Sequence, residues 1–197
     1  ELLEYFHKMG VLDVDLCVPY ASHDVPHVGL NQPGLFSQWL KDCFNQWFEN
    51  FQHMKIRWFE STLGMMIGAP SQVDTSGEYE QFLLTIDTDG SYRNDYLRIV
   101  EDGASFLGSN IWKTSISELA DSEKLRELDE VISGESLCDT CSNCRNRDVC
   151  GGFWWTSRLK EGDLDNVSVY CDELMSFFDH IKDTHLNPLK ALQNEAL

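Results

Sequence analysis

The chain has 197 residues, 42% of them hydrophobic, and a formal net charge of -18 from 33 acidic and 15 basic residues. This length is enough to bury an ordinary hydrophobic core. The acidity argues against nucleic acid as a partner, because phosphate binding needs clustered Lys and Arg. No apolar run approaches the ~20 residues of a membrane span, so no membrane partner is expected either.

The N-terminal part has the pattern of an α/β layer. Apolar and polar residues alternate over residues 11–18, which predicts a strand that ends at Pro19. Apolar residues then recur at helical spacing over residues 35–51, and Pro33 is placed to open this helix. A short strand or turn over residues 55–60 leads into a second helical stretch.

Residues 71–80 are polar and give the best candidate for a domain boundary, so the expected units are residues 1–75 and 76–197. Beyond the boundary, Asp89-Gly90 lies between two β-prone runs, which predicts a β-hairpin. The acid-rich turn lacks the further acidic residues of an EF-hand loop and is interpreted as a plain turn.

A helix is predicted after a further short strand over residues 106–111. Ser115 and Glu118 have the spacing of a capping box, which marks the start of this helix. Apolar residues continue at helical spacing as far as Ile132, and Gly134 is placed to end the helix. A single helix of this length would lead directly into the cysteine-rich segment.

Five of the seven cysteines lie in one arrangement in the last third of the chain: Cys138, Cys141, Cys144, Cys150 and Cys171. A two-residue gap lets one tight turn direct two sulfurs at one centre. The last four thiolates suffice for a tetrahedral zinc or a [4Fe-4S] cluster, and spacing alone leaves both open. An odd cysteine count in a chain of this size favours metal binding in a reducing compartment over disulfides, hence a cytoplasmic location.

The remaining cysteines and the adjacent glycines have separate interpretations. Cys138 is an extra ligand, a ligand of another cluster or a free thiol, and the sequence does not choose among these. Cys43 lies on the apolar face of its predicted helix, and Cys17 is expected to be buried in its strand. Gly151 and Gly152 would let the backbone approach an inorganic core closely.

The segment from Cys141 to Cys171 resembles the auxiliary-cluster part of a SPASM domain, the C-terminal extension of many radical SAM enzymes that modify peptides. The hairpin, strand and helix that precede it are similar to the same domain. A narrower resemblance, to the cyclophane-forming maturases of Gly-rich-repeat and FxsB-like systems, lies in Cys138, in Cys150-Gly-Gly, in Arg158 and in residues 165–171. Upstream, residues 18–24, 39–47 and 56–60 resemble the last part of a radical SAM barrel.

The resemblance implies a fold between α/β and α+β. Residues 1–75 would form the end of a partial radical SAM (β/α) barrel, and residues 76–197 a small SPASM-like domain with a β-hairpin, helices and Cys-rich loops. It also implies an auxiliary [4Fe-4S] cluster held by the last four cysteines, with Cys138 as a further candidate metal ligand. The implied partner is a precursor peptide, in which the intact enzyme would form a carbon–carbon crosslink.

The chain departs from the family pattern in two ways. It contains no Cys-x3-Cys-x2-Cys, the motif that binds and cleaves S-adenosylmethionine, and it begins at Glu1 rather than Met. We therefore expect a C-terminal piece of such an enzyme, or a decayed relative of it. The piece would need a radical SAM core and would use S-adenosylmethionine only in the intact enzyme. Cysteines for a second auxiliary cluster are also missing, since Trp154 occupies one such position. The alternative is a zinc-ribbon-like structural or interaction domain with a four-Cys zinc site.

Overall fold

The structure is a computed structural model that describes residues 1–77, 83–94, 106–132 and 137–187. Short helices and two small sheets alternate along these residues. In chain order they are α1 (Leu2–Lys8), β1 (Asp13–Val14), a 3-10 turn (Val28–Asn31), α2 (Leu35–Asn50), β2 (Lys55–Ile56), α3 (Arg57–Met66), β3 (Thr85–Ile86), β4 (Ser91–Arg93), β5 (Phe106–Asn110), α4 (Ile116–Ala120), α5 (Glu123–Ile132), α6 (Asp139–Ser142), α7 (Arg147–Cys150), a second 3-10 turn (Trp155–Arg158), α8 (Cys171–Ile181) and a π-helical turn (Lys182–Leu186).

The N-terminal sheet is a parallel pair, β1 with β2, connected through α2 as in a βαβ unit. The strand predicted over residues 11–18 is reduced to two residues, because β2 pairs only at Asp13↔Lys55 and Val14↔Ile56. The long helix is confirmed as α2, although Pro33 does not open it. Gly34 is the N-cap residue, with a left-handed φ of 84°.

The second sheet is antiparallel, in the order β3-β4-β5. Its first two strands form the predicted hairpin, and the Gly90 N–H donates to the Asp87 carbonyl at 2.8 Å. The Asp89 carboxylate accepts hydrogen bonds from Ser91, and Asp87 pairs with Arg93 at 3.0 Å. The acidic side chains of the turn thus pair with neighbouring residues of the same hairpin. The outer parts of the predicted strands, at residues 81–82 and 95–100, lie outside the described residues.

The capping box is present at the start of α4, where the Ser115 hydroxyl accepts from the Glu118 N–H and the Glu118 carboxylate accepts from the Ser115 N–H. The single helix predicted beyond it is two helices. The Ser122 hydroxyl accepts from the Leu125 N–H, so Ser122 starts α5 as a new N-terminus. The predicted end at Gly134 lies outside the described residues.

The core is an aromatic cluster between α2, α3 and α8. Phe44 of α2 packs against Phe59 of α3 and Phe177 of α8, with ring centroids 5.2 and 5.8 Å apart. Residues from both sides of the predicted boundary at 75/76 therefore share one core, and the boundary itself stays a prediction. Nowhere in the described ranges is a helix both long and apolar enough to cross a membrane.

Candidate metal centre

Four of the five clustered cysteines line one cavity: Cys141, Cys144, Cys150 and Cys171. The void that they line is small, about 40 Å³. The rest of the wall consists of Thr140, Arg147, Gly152, Leu174, Met175 and Phe178. The structure thus gathers on one surface the four thiols that the spacing singled out.

Short helical turns bring these thiols to the cavity. Cys141 lies in α6, and the Cys144 N–H donates to the Cys141 carbonyl at 3.1 Å, which closes the tight turn expected of a two-residue gap. Cys150 is the last residue of α7 and Cys171 the first residue of α8. The fourth thiol therefore comes from the N-terminus of a helix that packs into the core.

Cys138 lies beside the cavity rather than along its wall. It is buried at the N-cap position of α6, and interaction with its thiol raises the pKa of Cys141, after burial. The fifth thiol is therefore a neighbour of Cys141.

The donor types are those of an iron–sulfur cluster site. The four thiols line one cavity, with Leu174 and Phe178 as apolar neighbours. Across the described part of the chain, no three His, Cys, Asp or Glu side chains form a group that could hold one metal ion. Four cysteine thiolates are the ligands that [4Fe-4S] clusters take.

Burial disfavours the thiolate form of three of these cysteines, Cys141, Cys150 and Cys171. Burial raises the pKa of Cys150 to about 12, and a hydrogen bond from the Gly152 backbone opposes this rise. Burial also raises the pKa of Cys141, with a further contribution from the Cys138 hydrogen bond. For Cys171, burial and the nearby charge of Asp172 raise the pKa. A metal must displace these protons to bind.

Backbone and side-chain donors also lie at the sulfurs. The Asn146 N–H donates to Cys144 Sγ at 3.4 Å, and the same sulfur lies 3.7 Å from Met175 Sδ. The Asn146 side-chain amide donates to Met175 Sδ at 3.2 Å. Such donors orient cysteine ligands and tune the metal that they hold.

The two glycines after Cys150 are required by contacts with the protein. A Cβ on Gly151 would lie 2.3 Å from the Gly77 carbonyl oxygen, and one on Gly152 would lie 2.5 Å from Leu137 Cδ2. Both residues have a positive φ, of 60° and 80°. Both glycines thus lie close to the chain's own atoms, and Gly152 also lines the cysteine cavity, so the expected approach to an inorganic core stays a prediction.

The two remaining cysteines behave differently. Cys43 packs partly buried against the core from α2, as predicted, and burial raises its pKa to about 11. The prediction for Cys17 is wrong, because this residue is exposed. β1 ends at Val14, so Cys17 lies beyond the sheet that would have covered it.

A second cavity, of about 250 Å³, opens where the parallel strands β1 and β2 end. Asp15, Cys17 and Tyr20 follow β1, Arg57 follows β2, and Trp154 contributes from the cysteine-rich part. Ligands of α/β proteins bind beyond the carboxyl ends of parallel strands.

Sequence reasoning missed one buried carboxylate, Glu173. Its two oxygens accept from the Gly34 N–H at 2.6 Å and the Ser37 N–H at 2.5 Å, so a residue of α8 caps the N-terminus of α2. The available signal was an acidic residue next to Leu174 on a helix whose apolar face is buried. The sequence also left the place of Arg158 open, and the structure buries this residue almost completely.

A comparison with protein families found no match, and neither did a comparison with curated proteins. Among solved structures, the chain is similar to native anSMEcpe with bound AdoMet, at 21% identity and a TM-score of 0.70, covering 91% of this chain and 49% of that one. It is also similar to native anSMEcpe with bound AdoMet and Kp18Cys peptide, at 20% identity and a TM-score of 0.71, covering 96% and 53%. The chain thus has the mixed α/β fold of part of anSMEcpe and spans about half the length of that protein.

Proposed function

We propose that this chain is the cluster-binding C-terminal part of a radical SAM enzyme that modifies a peptide. In this proposal Cys141, Cys144, Cys150 and Cys171 hold an auxiliary [4Fe-4S] cluster. One observation carries it: the four cysteines with SPASM-like spacing line a single cavity, in a chain with the fold of part of an AdoMet- and peptide-binding protein.

The chain's own residues would prepare the site. The thiols release their protons on binding, and the Asn146 and Gly152 N–H groups donate to the sulfurs. Leu174 and Phe178 add apolar side chains to the same wall. A bound cluster would supply one-electron transfer, at a potential set by its net charge, its hydrogen bonds and its exposure.

The substrate in this proposal is a ribosomally made precursor peptide, crosslinked between two carbon atoms. Two observations support a peptide partner: anSMEcpe has been solved with bound peptides, and the second cavity lies at the carboxyl ends of β1 and β2 beside Trp154. The crosslink itself rests on the sequence resemblance. Cleavage of AdoMet needs a Cys-x3-Cys-x2-Cys core, a motif that this sequence does not contain.

Anaerobic reconstitution with iron and sulfide tests the cluster. We expect the wild-type chain to become brown and to bind iron and sulfide in equal amounts. Cys141→Ala and Cys171→Ala should each lose most of the iron, because three thiolates and an unanchored loop hold a cluster poorly. Cys43→Ala is the matched control, since that thiol lies on α2 and lines another cavity.

Two outcomes would contradict the proposal. Equal iron content in the Cys141 and Cys43 variants would show that the site is elsewhere. A colourless protein that binds one zinc through the same four cysteines would support the zinc-ribbon alternative.

Separately, the chain incubated with AdoMet and a strong reductant should form no 5′-deoxyadenosine, and appreciable formation would contradict the need for a separate core.

A further inference from the structure

Arg158 places a positive charge deep in the protein beside the cysteine cavity. It ends the second 3-10 turn and is only 1% exposed. Its Cδ and Cζ atoms lie 3.6 and 3.7 Å from where a Cβ on Gly152 would stand. Since Gly152 is part of the cavity wall, the guanidinium lies directly behind the loop that carries Cys150.

Three thiols are among the titratable groups near this guanidinium. It interacts electrostatically with Cys141, Cys138 and Cys150, and also with Asp165. Burial lowers the pKa of Arg158, but an arginine remains protonated in proteins. A cluster bound by four thiolates would add negative charge beside this buried cation.

We infer that Arg158 is a positioning residue that raises the reduction potential of the auxiliary cluster by holding one buried positive charge beside it. This inference rests on the proposed function. Reduction adds one electron, and therefore one negative charge, to the cluster. A fixed cation in a low-dielectric setting stabilises the reduced state more than the oxidised state.

Arg145 is the matched control for this charge. It lies next to Cys144 in sequence, but its side chain is 66% exposed and pairs with Asp179. Water and the Asp179 carboxylate screen its charge from the site. The two arginines thus differ in burial while both lie near the cysteines.

The test compares Arg158→Gln, Arg158→Lys and Arg145→Gln after anaerobic reconstitution. Each protein is measured for iron and sulfide content and for the midpoint potential of its cluster by spectroscopic redox titration. We expect Arg158→Gln to lower the potential clearly, Arg158→Lys to stay nearer the wild-type value, and Arg145→Gln to shift it least. A residue with only a packing role would not produce this order.

Each outcome is decisive. Arg158→Gln with wild-type iron content and an unchanged potential overturns the inference and leaves the proposed function intact. If Arg158→Gln does not fold, Arg158→Lys decides, because lysine keeps the positive charge. An Arg158→Lys protein that binds the cluster at a potential near the wild-type value supports the inference. Loss of the cluster, or a large shift in its potential, overturns the inference. A wild-type chain that binds no cluster overturns the proposed function and this inference with it.

Discussion

Glu173→Gln tests how the site is joined to the core. Glu173 is 7% exposed, and its two carboxylate oxygens cap the first turn of α2 by accepting from Gly34 and Ser37. Glutamine keeps the shape but replaces one acceptor oxygen with an NH₂ donor that faces a backbone N–H. It also removes the negative charge at the positive end of a 16-residue helix.

The magnitude follows from these contacts. A hydrogen bond to a charged group contributes about 1.5–3 kcal/mol, and a partly buried charge at a helix end up to about 2 kcal/mol. The two overlap, so we expect a loss of about 2–3 kcal/mol in the free energy of unfolding. A chain of this size then loses about 4–12 °C in Tm.

Urea and thermal unfolding of the metal-free chain, followed by circular dichroism, measure this loss. Asp172→Asn is the control, because this exposed carboxylate lies in the same turn of α8, and its change should stay below about 1 kcal/mol. Indistinguishable effects of the two variants would refute the tertiary cap. Because Cys171 begins the same helix, Glu173→Gln should also weaken iron retention.

Three further predictions use other parts of the molecule. Gly151→Ala should destabilise the cysteine loop strongly and reduce iron loading. The control is Gly162→Ala, where φ is 83° and no atom lies within 4 Å of the added Cβ, so it should cost only ~1 kcal/mol of backbone strain. Equal effects of the two variants would contradict the contact between Gly151 and the Gly77 backbone. Burial lowers the pKa of His180 and His185, which share the side-chain amide oxygen of Asn45, below the ordinary 6.5. The unfolded chain then binds more protons than the folded chain, so the free energy of unfolding should fall as pH drops through about 6.5. The urea midpoint measured against pH checks this, and a His185→Gln variant whose midpoint falls as steeply as that of the wild type would refute this cause. Exposed strand edges and apolar side chains should make the isolated chain self-associate, and sedimentation of a single stable monomer would contradict that expectation.

Local patterns predicted the elements whose cause is local. The helical spacing of α2, the Asp89-Gly90 turn and the Ser115–Glu118 capping box all depend on residues within a few positions of one another. The tight turn between Cys141 and Cys144 belongs to the same class.

Features that depend on distant partners could not be derived in this way. β1 has only two residues because β2 pairs with it at only two positions, and this also explains why Cys17 is exposed rather than buried in a strand. Glu173 and Arg158 are charged residues whose burial comes from tertiary packing. The sequence allowed three roles for Cys138, and the fold makes it a neighbour of Cys141 whose thiol raises the pKa of that cysteine.

The cluster proposal is tested most directly by X-ray absorption at the iron and zinc edges, on the chain isolated and reconstituted without oxygen. We expect bound iron with a sulfur shell and iron–iron scattering, both absent from Cys141→Ala and retained in Cys43→Ala. Zinc surrounded by four sulfurs at ~2.3 Å, with no iron–iron scattering, would contradict it.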